Sequence, residues 1–97
     1  MSRPKKCRCV SFDPQALYFK PRGIPLVDLE EVSLSIDEVE ALRLADYEGR
    51  YHEEAAREMK VSRATFGRIV KEARRKVASA LIGGRALRIE KEDGAKQ

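Results

Sequence analysis

The chain has no tryptophan, one histidine and two cysteines in 97 residues. Each scarcity removes a class of chemistry. A lone imidazole, His52, finds no Ser/His/Asp arrangement around it and reads as an exposed polar residue. Structural zinc takes four Cys or His ligands, more than two thiols and one imidazole supply. Cys7 and Cys9 form Cys-x-Cys and would share a face of an extended strand, which makes them the only metal candidates. Two free thiols is the plainer reading, and no cofactor is expected. No run of about 18 apolar residues occurs, so no membrane span is expected. The opening MSRPKKCRCV is basic but lacks the apolar core of a signal peptide, which places the protein in the cytoplasm. There is no glycine-rich phosphate loop and no paired-carboxylate cleft. With a chain long enough for one modest core, the expectation is a protein that is not an enzyme.

Charge is abundant. Asp, Glu, Lys and Arg make up 37 % of the chain, against about a quarter in ordinary domains. The net charge of +4 hides a strong segregation. Residues 1–22 carry six cations and one acid; 26–59 carry eleven acids and three arginines; 60–88 carry nine cations and one acid. Such blocks point to a surface that faces a polyanion. The plain alternative is an acidic face pairing with basic faces inside the fold.

All four prolines fall within residues 1–25, so that part cannot hold a long helix and reads as a basic extended arm. The alternation in CRCVSF predicts a short strand near 7–12. Residues 26–34 are ambiguous between a helical turn and an extended entry. From Ser35 the signals sharpen. Ser35 and Glu38 form a capping box, Ile36, Val39, Leu42 and Ala45 recur at three-residue steps, and Gly49 can end this helix near Glu48. A second helix is predicted from His52 to Met59, with Glu53 and Glu54 at its positive end and Ala55, Ala56 and Met59 turned inward. After Lys60-Val61-Ser62, a third helix runs from Arg63 to Leu81 or Ile82, stopped by Gly83-Gly84. The alternating RALRIE (85–90) predicts a strand that pairs with 7–12, and KEDGAKQ reads as a flexible tail. The predicted fold is mainly α: a helix-turn-helix core of three helices over 26–84, a basic arm over 1–25, and a short strand with a tail over 85–97, making one structural domain.

Lys60 to Val77 carries the functional signal, with seven cations and one acid. Two helices with a tight link, the second capped by Ser62 and rich in arginine, describe a helix-turn-helix. Phe66, Ile69 and Val70 face the core, and Val61 seals the corner. Arg63, Ala64, Gly67, Arg68 and Lys71 then lie on the opposite face near the helix start, the part of a recognition helix that meets base edges. Arg63 and Arg68 suit bidentate contact to guanine. Ser62 and Thr65 sit at the margin, within reach of a phosphate or a thymine methyl. Arg74, Arg75 and Lys76 continue the basic stripe where the helix rises out of a groove, and are assigned to phosphates or solvent. Gly67 costs helix stability, roughly 1 kcal/mol against alanine; close approach to DNA or close packing on another helix would each explain it.

YHEEAAREMKVSRATFGRIVKEARRKV (51–77) resembles the helix-turn-helix of sigma-factor region 4. Across nearly the whole chain, RPKKCRCVSF, YFKPRGIPL, LEEVSLSIDEVEALRLADYEG, EEAAREMKVSRATFGRIVKEARRKVASAL and ALRIE are similar to the uncharacterised protein family 0251, also called domain of unknown function 134. The resemblance implies a predicted prokaryotic DNA-binding protein without an established target. Some members look to carry a C-terminal domain like the dinitrogenase iron–molybdenum cofactor-binding proteins. This sequence stops at Gln97 without one, so no cofactor-linked role is expected from it.

Arg3, Lys5, Lys6 and Arg8 form a compact cationic arm, extended by Lys20 and Arg22, that can lie along phosphates or in a minor groove. Phe12, Tyr18 and Phe19 are expected to complete the small core rather than stack on bases. The expected function is sequence-specific binding of double-stranded DNA in transcriptional regulation, with helix 63–81 in the major groove. A homodimer on a two-fold site would suit so small a module, through the 85–90 strand or the N-terminal segment. The alternatives are a nonspecific binder associated with RNA or the ribosome, and a protein-interaction module that docks, for instance on RNA polymerase, through the acidic 26–59 face.

Overall fold

The computed structural model describes residues 10, 11 and 13–91. The calls on Arg3, Lys5, Lys6, Cys7, Arg8, Cys9, Phe12 and the tail therefore lie outside the described residues. A short strand, β1 (Tyr18–Phe19), is followed by one 3-10 turn (Leu26–Asp28), β2 (Glu31–Ser35), α1 (Ile36–Leu42), a wide π-helical turn (Arg43–Tyr47), α2 (His52–Met59), α3 (Arg63–Gly83) and β3 (Ala86–Glu90). The protein is mainly α, with a small sheet.

Local chemistry accounts for the helix ends. Ser35 opens α1 with the predicted capping box: its hydroxyl accepts from the Glu38 amide at 3.1 Å, and the Ser35 amide donates to the Glu38 carboxylate at 2.9 Å. Gly49, at φ 72°, lets the chain turn back after the π turn. Tyr51 gives α2 no side-chain cap. Lys60 takes the left-handed conformation, with φ 60°, and this residue with Val61 and Ser62 makes the corner between α2 and α3. Ser62 opens α3 by accepting from the Thr65 amide at 3.0 Å. Gly84, left-handed at φ 66°, ends it.

Two adjoining apolar clusters hold these elements. Ala41, Leu44, Ala55, Ala56, Met59, Phe66 and Val70 form the first, where α1, α2 and the first half of α3 meet, with Val61 packed against them. The second joins Leu34, Ala73 and Ile89, with Val77 and Leu87 alongside. It rests the second half of α3 on the sheet. Alanines at 41, 55, 56 and 73 let the helix backbones approach closely. Among the described residues Phe66 is the largest side chain buried completely, and His52 packs edge-on against its ring at 5.2 Å.

The sheet departs from the sequence reading. The strand predicted at 85–90 is present, but its partners are β1, antiparallel (Tyr18 opposite Arg88), and β2, parallel (Val32 opposite Leu87). Val10 and Ser11 are not in a strand. The order β1-β3-β2 makes β3 central, with a strand neighbour on each side. Residues 26–34 divide between the 3-10 turn and the start of β2. Tyr18 and Phe19 help to build the sheet rather than fill the core: Phe19 stays 53 % exposed, and the Tyr18 hydroxyl donates to Glu31 at 2.7 Å.

Candidate nucleic-acid interface

The first two turns of α3 divide cleanly. Phe66 and Val70 are buried, Ile69 is half-buried against the same core, and Arg63, Ala64, Arg68 and Lys71 face solvent. Among the described residues Arg63 and Lys71 make no hydrogen bond or ion pair within the protein. Arg68 makes one polar contact, donating to the Thr65 hydroxyl at 3.3 Å. A side-chain carbon added to Gly67 would meet no atom within 4 Å beyond its chain neighbours and its own helix backbone. Close packing on another helix is therefore not what keeps glycine there.

Beyond Lys71 the electrostatics change. Arg74 holds Asp46 with two bonds, at 2.7 and 3.0 Å. Arg75 grips Glu72 within its own helix at 2.6 and 3.1 Å. Lys76 reaches the Glu38 carboxylate at 2.9 Å, joining α3 to the capping box of α1. Arg74 holds the Asp46 carboxyl below the usual carboxylate range, and Arg75 does the same for Glu72. The basic stripe thus has two parts. From Arg63 to Lys71 its cations lack acid partners among the described residues; from Arg74 to Lys76 each is matched by an acid that a phosphate would have to displace. The sequence alone assigns all three to phosphates or solvent.

The acids of 26–59 are not all solvated either. Glu40 is fully buried. Arg43 donates to it at 2.8 and 2.9 Å, and the Ser11 amide and hydroxyl donate at 3.2 and 3.3 Å. Burial alone would raise its pKa, but the bonds from Arg43 and Ser11 prevail and the net direction is downward. The node fixes Ser11, at the inner end of the basic arm, to α1. Position 40 lies four residues from both Ile36 and Leu44, in one line along the helix; that spacing marks it as inward-facing in spite of its charge.

Arg63 and Arg74 also line an open cleft of about 540 Å³ with Arg50, Tyr51, His52 and Glu53. Arg50 is engaged by Glu48 and Glu58, which leaves Arg63 as the unpaired arginine of the cleft. Among the described residues there is no group of three or more Cys, His, Asp or Glu placed to hold a metal. No helix there is long and apolar enough to cross a membrane.

A mainly helical chain with a three-residue corner leading into a cationic helix defines the structural class. A family model described as "Protein of unknown function DUF134" matches residues 1–96, and the chain belongs to this family. A "UPF0251 protein" of Desulfosudis oleivorans is 59 % identical over 90 residues, covering 93 % of this chain and 65 % of the relative. One from Desulforudis audaxviator is 60 % identical over 90 residues, covering 93 % of this chain and 59 % of its own. One from Prosthecochloris aestuarii is 59 % identical over 88 residues, covering 91 % and 57 %. The chain spans roughly three-fifths of the length of these relatives. No solved structure matches it.

Proposed function

We propose that this protein binds double-stranded DNA with sequence specificity, as a cytoplasmic transcriptional regulator, by placing the first half of α3 in the major groove. One observation carries the reading. The exposed face of α3 from Arg63 to Lys71 presents cations without acid partners around a glycine that has open space in front of it, while the cations farther along are paired. A helix that serves only as a solvated surface gains nothing from such a division. A helix that enters a groove at its N-terminal end needs it, because base edges are met there and the rest of the helix climbs away. Guanine, with two acceptors on its major-groove edge, is the base that an arginine reads best. Phosphates beside the groove fall to Arg3, Lys5, Lys6 and Arg8 of the arm. Within this reading a second copy on a two-fold site would enlarge a small interface.

The test is selection of a random duplex library by the purified protein, followed by salt titration on the winning duplex and a scrambled one. A recovered motif preferred by about a thousandfold or more supports the reading, and a palindromic motif supports a dimer. Equal, salt-steep binding to both duplexes would replace it with nonspecific nucleic-acid binding. Absence of binding would turn attention to a protein partner on the acidic 26–59 face, such as RNA polymerase.

A further inference from the structure

We propose that Thr65 is a positioning residue that sets the Arg68 guanidinium for contact with the guanine of one G·C pair; the inference rests on the DNA-reading function above. Ser62, Thr65 and Arg68 stand three residues apart on neighbouring turns, where side chains meet. The Ser62 hydroxyl accepts from the Thr65 amide at 3.0 Å and donates to Thr65 Oγ1 at 2.9 Å. Thr65 Oγ1 accepts in turn from Arg68 at 3.3 Å. The helix cap therefore fixes the threonine hydroxyl, and the hydroxyl holds the guanidinium. Thr65 is itself half-buried and β-branched, which leaves its side chain little rotational freedom.

The consequence concerns ordering. An exposed arginine samples many rotamers and must give them up on binding. Arg63 and Lys71, on the same face, have no such restraint among the described residues. Arg68 is held by one of its five N–H donors, and the other four remain for a ligand. Guanine presents O6 and N7 together as acceptors, and a guanidinium spans both. Thr65 acts through the arginine rather than on the base, so its removal should impair discrimination more than general affinity.

Three variants, Thr65→Val, Thr65→Ser and Arg68→Lys, are compared on the duplex selected by the wild-type protein, on duplexes with each G·C pair replaced, and on a scrambled duplex. Thr65→Val preserves shape and branching but removes the hydroxyl. It should lower discrimination at a single G·C pair by about fivefold or more, with binding to the scrambled duplex unchanged. Thr65→Ser should restore the discrimination. In an Arg68→Lys background, Thr65→Val should cause no further loss, because both changes remove the same contact. Unchanged discrimination in Thr65→Val, additive losses in the double variant, or an equal fall on cognate and scrambled duplexes would each overturn the assignment. Failure of the wild-type protein to select any motif would overturn the DNA-reading function itself, and this assignment with it.

Discussion

Replacing Gly67 with alanine separates the demands of folding from those of binding. Gly67 is the fifth residue of α3 and stands in a helix interior. Alanine is favoured there by roughly 1 kcal/mol, partly because it narrows the unfolded ensemble. Apart from its chain neighbours and its own helix backbone, no atom lies within 4 Å of the position its β-carbon would take, so no steric term offsets the gain. For a domain of this size, about 1 kcal/mol corresponds to a rise in Tm of roughly 4–8 °C. DNA should respond in the opposite sense. If the Gly67 backbone lies against a base edge, the new methyl intrudes on a packed contact, at a cost on the order of 1–3 kcal/mol, or roughly 5- to 150-fold in Kd. Thermal melts followed by circular dichroism, and anisotropy titrations at one fixed salt concentration, measure both quantities on the same sample. A higher Tm with weaker cognate binding is the expected pair. A higher Tm with unchanged affinity would refute the close approach, and a lower Tm would refute the open environment on which the reasoning depends.

The divided stripe and the buried groups have further measurable consequences. Arg63→Ala and Arg68→Ala should each cost about 1–3 kcal/mol on the selected duplex and relax its specificity, whereas Arg75→Ala, whose guanidinium is already held by Glu72, should change affinity and salt slope little on any duplex; competition titrations tell these apart. Asp46→Asn should release Arg74 for phosphates, raising affinity for scrambled duplex and steepening its salt dependence by about one unit. Phe66→Ala, which empties the centre of the helical cluster, should destabilise the fold by about 3–5 kcal/mol in urea titration. Glu40, Asp46 and Glu72 all have pKa values lowered in the folded state. Their contribution to stability is present at neutral pH and is lost as pH falls below about 4 through their folded-state values. Glu40→Gln should remove part of that acid sensitivity, read from melts across pH.

Local signals made the helices legible and left the sheet obscure. Ser35 with Glu38, the acids opening α2, Ser62 before α3 and the Gly83-Gly84 pair each act within a turn of their own position, and the bounds they imply agree with the structure to within a residue or two. α1 is the exception. Its apolar steps run on to Ala45, but regular α-helix ends at Leu42 and the next five residues form the wider turn. Strand partners depend on contacts far apart in sequence. Nothing in RALRIE reveals that Glu31–Ser35 lies beside it after a crossover of three helices, and β1 is too short to show a pattern. The candidate site follows the same division. Helical periodicity suffices to place Arg63, Gly67, Arg68 and Lys71 on one face. The pairing of Arg74 with Asp46 spans 28 residues and that of Lys76 with Glu38 spans 38, so the sequence could not show which cations were already matched.

In the proposed function, residues 62–71 are the part of the protein that enters DNA. The most direct measurement is an amide NMR titration of isotopically labelled protein with the selected duplex. The largest shifts should fall between Ser62 and Lys71, with weaker ones around the Arg63 cleft at Arg50 to Glu53, while β2 and β3 stay quiet. Largest shifts on the sheet, or along the acidic surface of 26–48, would contradict it.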